Sequence, residues 1–391
     1  MANPKILIVD DEPFNVDYLE QELEGLDYET ISAFNGQEAL DKVQSETPDL
    51  VLLDIMMPIM DGFEVLNCLK ANPSTRDIPV IVISASNSLQ SVVTGIQLGA
   101  EDYLPKPFEP TLLHARISSS LAKKRLLDLQ QLYLKSLERE FEIAHEIQMG
   151  FLPYQLPVVD GWEIAAYFKA AREVAGDFYD AFLLPDGNLV FVIGDVCGKG
   201  VGAALFMTLF RSLIRATSTT DYFRNREDAL ALTPAERLLH VIRFTNNYLA
   251  ETHSSATFAT IFIGILNLQD SKLTYINCGN EPPILLGKEG AITTLQPTGP
   301  VVGMITDACF TVCEFLMKKN ELLLTFTDGL TDAMNKNEEF FGRERLLKLL
   351  NGANTTPALL LKDIEEHLHQ FIGTADQFDD ITVLAIKNVK P

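Results

Sequence analysis

The chain has 391 residues, 47% of them hydrophobic, and a formal net charge of −23. That length predicts two or three domains, each with its own core. The acidic balance excludes nucleic acid and anionic membrane surfaces as partners, because their phosphates would be repelled.

The opening MANPKILIVDDE reads as a strand rather than a signal-peptide core. No apolar run reaches the ~18 residues that cross a bilayer. Cys68, Cys197, Cys278, Cys309 and Cys313 form no C-x-x-C pair, so neither a disulfide framework nor a zinc site is expected. The expectation is a cytoplasmic protein.

Over the first ~120 residues, five strand patterns alternate with helical ones: KILIV (5–9), YETISA (28–33), LVLLD (50–54), IPVIVIS (78–84) and EDYL (101–104). Such alternation predicts an α/β, doubly wound (βα)5 domain whose ligands sit beyond the carboxyl ends of its strands. Asp10 and Asp11 end the first run, Asp54 the third and Ser84 the fourth, and Lys106 follows the fifth. In a parallel sheet these five meet at one edge. A carboxylate pair at ~4 Å costs about 4 kcal/mol at an effective dielectric of ~20, and a hard cation such as Mg²⁺ removes that cost. Lys106 then adds a mobile positive charge and Ser84 a hydroxyl, a site for a phosphoryl group carried on a carboxylate.

The motifs VDDE (9–12), LLDIMMPIMDG (52–62), ISAS (83–86) and EDYLPKPF (101–108) resemble the response-regulator receiver domain over residues 1 to about 122. The resemblance implies that Asp54 is the phospho-acceptor, charged by a histidine kinase. It implies that Asp10, Asp11 and Asp54 hold Mg²⁺ together with the Met56 carbonyl. Ser84 and Lys106 would read the phosphoryl group, and Tyr103 would be the aromatic switch.

Residues from about Thr111 to Phe151 form one helical pattern with no glycine before Gly150, ended by Pro153 and Pro157. Leu134, Leu137, Phe141 and Ala144 step as a coiled-coil seam does, and Gln130 and Gln148 interrupt the same register. We expect a helical connector over 123–152 that pairs with a second copy in a homodimer; packing on its own domain is the alternative.

Beyond it the order changes. WEIAAYF, FYDAFLL, NLVFVIGD, FATIFIGIL and KLTYINC read as strands, with helices over Gly202–Ala216 and Pro234–Glu251 and a loop over 218–232. Two more strands, one of them in NELLLTFTD, then helices near Arg343–Leu350 and Pro357–Phe371, precede a final strand, ITVLAIK. Mixed order without strict alternation predicts an α+β domain over 153–391.

GDVCGKGVGAAL ends an apolar strand on Asp195 and does not match the phosphate loop, because Gly200 follows Lys199 where a hydroxyl residue is needed. Similar strand-edge carboxylates occur in AGDFYD (Asp177, Asp180), TDGLTDA (Asp328) and DDITVLAI (Asp379, Asp380). Carboxylates gathered from such distant segments are costly to bury unless they bind metal. A site of carboxylates and water suits two Mg²⁺ or Mn²⁺ ions, which bind a phosphate ester and activate a water.

These four motifs resemble the sporulation stage II E branch of the metal-dependent protein phosphatases, whose fold is an αββα sandwich. The resemblance implies that Asp177, Asp195, Asp328 and Asp379 are catalytic metal ligands, helped by the Val196 carbonyl, with Asp380 at the metal or its water. It implies a phosphoserine or phosphothreonine protein substrate, an anti-sigma-factor antagonist being the type. The helix after Gly200 would switch activity.

Ala175 replaces a usual glycine, Cys197 a usual serine, and NCGNEPP (277–283) a usual A-G-H-N-P-P; no arginine stands out as a phosphate clamp. His145, His240 and His253 share no metal-ligand spacing and read as packing or surface residues. The functional expectation is a response regulator with phosphatase output. A catalytically inactive, phosphorylation-dependent adaptor is the alternative, and nothing matches a nucleotide cyclase or kinase.

Overall fold

The computed structural model describes residues 3–85, 89–223, 232–253, 257–287, 291–350 and 355–390. Two compact units result, Met1–Glu138 and Arg139–Pro391. Among the described residues no helix is long and apolar enough to cross a membrane.

The first unit is a five-stranded sheet, with β1 (Lys5–Val9), β2 (Glu29–Ala33), β3 (Leu50–Asp54), β4 (Val80–Ser84) and β5 (Asp102–Pro105) in the order β2-β1-β3-β4-β5. Every pairing is parallel. Strands β3 and β4 are buried throughout, which explains why they read as unbroken apolar runs: helices cover both faces. The helices are α1 (Pro13–Leu23), α2 (Gly36–Glu46), α3 (Gly62–Ala71) and α4 (Leu89–Gln97). Asp61 and Glu64 form a reciprocal capping box at the start of α3. Gly62 is there for space: a Cβ would lie 2.2 Å from the Asp54 carbonyl oxygen.

Helix α5 runs unbroken over Pro110–Phe151. Its first turns bury Leu113, Ile117 and Leu121 against the parallel sheet. Farther along, Leu126, Leu129, Leu132, Tyr133 and Leu134 are exposed. Leu137, Phe141 and Ala144 are half-buried and Gln148 is buried.

The second unit has two antiparallel sheets face to face. One runs β13 (Cys313–Leu316), β10 (Lys272–Cys278), β9 (Ala259–Leu266), β8 (Leu189–Val196), β7 (Phe178–Leu183); the other runs β12 (Ile292–Thr294), β11 (Ile284–Leu286), β14 (Leu322–Phe326), β15 (Ile381–Asn388), β6 (Trp162–Lys169). Helices α6 (Val201–Phe223) and α7 (Pro234–Thr252) cover the first sheet; α8 (Gly342–Leu350) and α9 (Pro357–Ile372) cover the second.

Alternation along β8 builds these layers. Val190 and Val192 face Met207, Phe210 and Ile242 of the helices, while Leu189, Phe191 and Ile193 face Leu323 and Leu384 of the other sheet. The result is the αββα sandwich.

Helix α6 is longer than the expected Gly202–Ala216 and takes in residues 218–223 of the expected loop. Residues 224–231 of that loop lie outside the described residues. Where two strands were expected before α8, four occur among the described residues: β11 (Ile284–Leu286), β12 (Ile292–Thr294), β13 (Cys313–Leu316) and β14. The strands β12 and β13 are short edge strands, and three or four residues carry too little alternation to read.

Candidate functional site

In the first unit Asp10, Asp54 and Lys106 converge beyond the carboxyl ends of β1 and β3. Lys106 Nζ lies 2.7 Å from Asp10 Oδ2 and 2.9 Å from Asp54 Oδ1. Burial raises the Asp54 carboxyl pKa, Lys106 opposes that rise, and the Asp10 charge adds to it. For Lys106, burial lowers the ammonium pKa, but hydrogen bonds and charges of Asp10 and Asp54 outweigh it and the net shift is upward. The Met56 N–H donates to Asp54 Oδ2 at 2.8 Å, which orients the carboxylate. Asn15, which the sequence reading missed, donates to Asp10 Oδ1 at 2.9 Å. Asp11 is half-buried, Ser84 is fully buried and Tyr103 lies in the core.

In the second unit, topology explains how carboxylates from remote segments meet. Antiparallel pairing puts the start of β7 beside the end of β8 (Phe178 opposite Gly194). It likewise puts the end of β14 beside the start of β15 (Phe326 opposite Val383). The two sheets stack, so Asp177, Asp195, Asp328, Asp379 and Asp380 share one edge of the sandwich.

Two hydroxyls tie the sheets together there. Thr327 and Thr382 donate to Asp177 Oδ2 at 2.7 and 2.6 Å. Asp380 accepts the Ala171 and Gly176 amides, one on each oxygen, both at 2.7 Å. Gly329 lets the Asp328 turn close on this edge, since a Cβ would fall 1.8 Å from the Asp380 carbonyl oxygen. Gly198 (φ +104°) and Gly200 (φ +78°) are needed for left-handed backbone, as no atom lies within 4 Å of a Cβ placed on either. Ala175 is not among the residues of positive φ, so its Cβ brings no strain.

The electrostatics are those of an acidic cluster. Asp177, 1% exposed, has its pKa pushed well up, first by burial and then by the Asp195 charge. Asp195 is pushed up to about 7 by burial and by the charges of Asp328, Asp379 and Asp380. Asp328 is raised by burial and Asp379, and Asp380 by burial against the opposing amides of Ala171 and Gly176.

Among the described residues no three acidic, histidine or cysteine side chains close on one point as a finished cage; the carboxylates form an open cluster. Lys199, also missed, puts its Nζ 2.9 Å from Asp379 Oδ2 and 4.6 Å from the Phe378 ring centroid. An all-oxygen set of mutually repelling carboxylates fits hard divalent cations. Val196 stands at the end of β8, and its carbonyl oxygen lies 2.8 Å from a Cβ placed on Gly176.

Asp180 is not part of the cluster. It is 0% exposed and held by Arg211 at 2.9 Å and Arg215 at 2.8 Å. In NCGNEPP, Asn280 is buried and donates to the Phe326 carbonyl at 3.1 Å, a bond that secures the turn. Cys197 is exposed. Thr327 and Thr382 could have been picked out as hydroxyl residues flanking the motif aspartates; no local pattern marks Lys199.

A family model described as Stage II sporulation protein E (SpoIIE) matches residues 185–389, just over half of the chain, and one for the response regulator receiver domain matches residues 6–118. Protein IcfG of Synechocystis sp. is 42% identical over 260 residues, 63% of this chain and 41% of that protein. The alkaline phosphatase synthesis transcriptional regulatory protein PhoP of Bacillus subtilis is 40% identical over 124 residues, 32% of this chain and 51% of that protein. The chain thus spans about half, or less, of these relatives. The SiaA-PP2C domain of Pseudomonas aeruginosa shares the fold, with TM-score 0.55 and 20% identity over 65% of this chain and 98% of that one.

Proposed function

The chain belongs to the stage II sporulation protein E family, with a response-regulator receiver domain ahead of the family region, and on that premise we propose that it is a response regulator whose phosphorylation at Asp54 controls a metal-dependent protein phosphatase. The substrate class is phosphoserine or phosphothreonine on a protein of the anti-sigma-factor antagonist type, and the phosphodonor is a histidine kinase. The receiver is assigned to residues 1–122, the connector to 123–152 and the phosphatase to 153–391.

The observation that carries the reading is the edge where Asp177, Asp195, Asp328 and Asp379 gather, with the carboxyl groups of the first three raised by burial and neighbouring charge. Two Mn²⁺ or Mg²⁺ ions, held by these four with Asp380 and the Val196 carbonyl, would supply charge neutralisation and Lewis acidity toward a phosphate ester. The chain's own residues do the rest. Thr327 and Thr382 fix the rotation of Asp177 by both donating to its Oδ2. Asp380 ties the loop before β7 to β15. Lys199, at the rim, offers a cation to an incoming anion. In the receiver, Asp10, Asp11, Asp54 and the Met56 carbonyl would hold one Mg²⁺, with Ser84, Tyr103 and Lys106 reading the phosphoryl state.

The test is hydrolysis of a chromogenic phosphate ester and a phosphoserine peptide by the full chain, with Mn²⁺ titrated, in the presence and absence of beryllofluoride on the receiver. Turnover is expected to require Mn²⁺ or Mg²⁺ and to change with beryllofluoride. No turnover at any metal concentration leaves the inactive adaptor; equal rates with and without beryllofluoride remove the control by Asp54.

The exposed apolar residues of α5 support the homodimer. Leu126, Leu129 and Tyr133 recur at three and four residues, the spacing of one helix face. Sedimentation velocity should find a dimer that Leu129→Glu with Leu132→Glu converts to monomer; a monomeric parent at tens of micromolar contradicts this.

A further inference from the structure

Gln148 breaks the apolar register of α5, yet it is buried, 4% exposed. Its amide is matched twice to one residue: Nε2 donates to the Ala175 carbonyl at 2.7 Å, and Oε1 accepts the Ala175 N–H at 2.9 Å. One turn earlier, His145 Nδ1 donates to the Glu173 carbonyl at 2.7 Å. Leu152, just past the helix, is buried in the same core cluster as Phe178 and Val196. The end of α5 therefore grips residues 173–175 by their backbone.

The other side of the same loop carries the site. Ala171 and Gly176 donate their amides to Asp380, Gly176 lies so close to Val196 that a Cβ would be 2.8 Å from its carbonyl oxygen, and Asp177 is the next residue. We infer that Gln148, with His145 beside it, is a positioning residue: the last turns of α5 hold the 170–177 loop in register, so that Asp177 and Asp380 stand where the acidic edge needs them. Because α5 is the helix that leaves the receiver, the clasp is also the lever by which the receiver acts on the site.

A glutamine serves here because it presents one donor and one acceptor in the geometry of a neighbouring strand. Leucine fills similar volume but leaves a buried N–H and carbonyl of Ala175 unmatched. Glutamate keeps the acceptor and sets a second oxygen against the Ala175 carbonyl.

The metal part of the test rests on the phosphatase reading and the beryllofluoride part on control by Asp54; the exchange part rests on neither. Gln148→Leu and Gln148→Glu are compared with the parent full chain. In the metal-free proteins, hydrogen–deuterium exchange of peptides covering 170–177 is expected to rise about tenfold or more in both variants, with the β8 and β9 peptides unchanged. Calorimetric titration is expected to show Mn²⁺ binding weakened about tenfold, the scale seen when a group that orients a ligand is lost, and a beryllofluoride effect on Mn²⁺ affinity that is present in the parent and absent in both variants.

Exchange at 170–177 equal to the parent, or Mn²⁺ affinity within about twofold of it, overturns the clasp. A beryllofluoride effect as large in the variants as in the parent overturns the lever. A parent that binds no Mn²⁺ sinks the phosphatase reading instead, and a parent whose Mn²⁺ affinity ignores beryllofluoride sinks the control by Asp54; exchange then judges the clasp alone.

Discussion

Asp195→Asn is expected to abolish phosphate-ester hydrolysis while making the metal-free protein harder to unfold. Both effects have one cause. Asp195 stands near the end of β8, half-buried and facing the charges of Asp328, Asp379 and Asp380. With divalent ions bound, its carboxylate is a ligand and a source of compensating charge; without them it is an anion repelled by its neighbours. Asparagine keeps the shape and removes the charge. Turnover should fall roughly a thousandfold or more, which corresponds to ~4 kcal/mol of transition-state stabilisation. The melting temperature measured in chelator at pH 7.5 should rise, as happens when a functional site is relieved of electrostatic strain. Turnover near the parent level would remove Asp195 from the site. A lower melting temperature in chelator would show that the aspartate serves the fold.

The second large effect is on stability against pH in the absence of metal. The carboxyl of Asp195 is raised from 3.8 to about 7, and those of Asp177, Asp328 and Asp380 are raised as well. A raised carboxyl binds its proton more tightly in the folded chain than in the unfolded one. Between about pH 4 and pH 7 the folded state therefore carries more protons, and stability falls as pH rises through that window. For Asp195 the loss is on the order of 4 kcal/mol, at ~1.4 kcal/mol for each tenfold gain in proton affinity.

In chelator, melting at pH 5 is expected to lie on the order of 10 °C above melting at pH 7.5. Asp195→Asn should flatten that slope, which separates the cluster from the general effect of the net charge of −23. Added Mn²⁺ should raise the melting temperature strongly at pH 7.5 and little at pH 5, because its ligands must be deprotonated. A melting temperature in chelator that is flat or rises with pH contradicts the raised carboxyls.

Much of this was legible in the residues. Buried strands such as LVLLD and LVFVIGD are long apolar runs, and Asp54 and Asp195 end them on a polar note at the sheet edge. The D-G pairs Asp61–Gly62 and Asp328–Gly329 lie inside the motifs quoted from the sequence, and a Cβ at either glycine meets backbone. Lys106 followed the fifth strand, and it reaches both Asp10 and Asp54.

What stayed hidden depends on which elements become neighbours. Asp177 and Asp180 looked alike in AGDFYD, yet one faces the acidic edge and the other is captured by Arg211 and Arg215 of α6. Strand alternation says only that residues three apart lie on opposite faces; it does not say what each face meets. Thr382 reaches Asp177 across 205 residues of chain, and Gln148, a flaw in a helical seam by sequence, finds its partner in a loop 27 residues away.

Local periodicity and turn chemistry act within a few residues, and they were enough to read the two fold classes, the strand ends that carry carboxylates and the hydroxyl and lysine that accompany them. The Thr327–Asp177–Thr382 bridge, the Lys199–Asp379 pair and the Gln148 clasp follow from long-range packing instead. Those contacts arise where separate sheets and helices stack to bury their apolar faces, and that stacking is a property of the whole core.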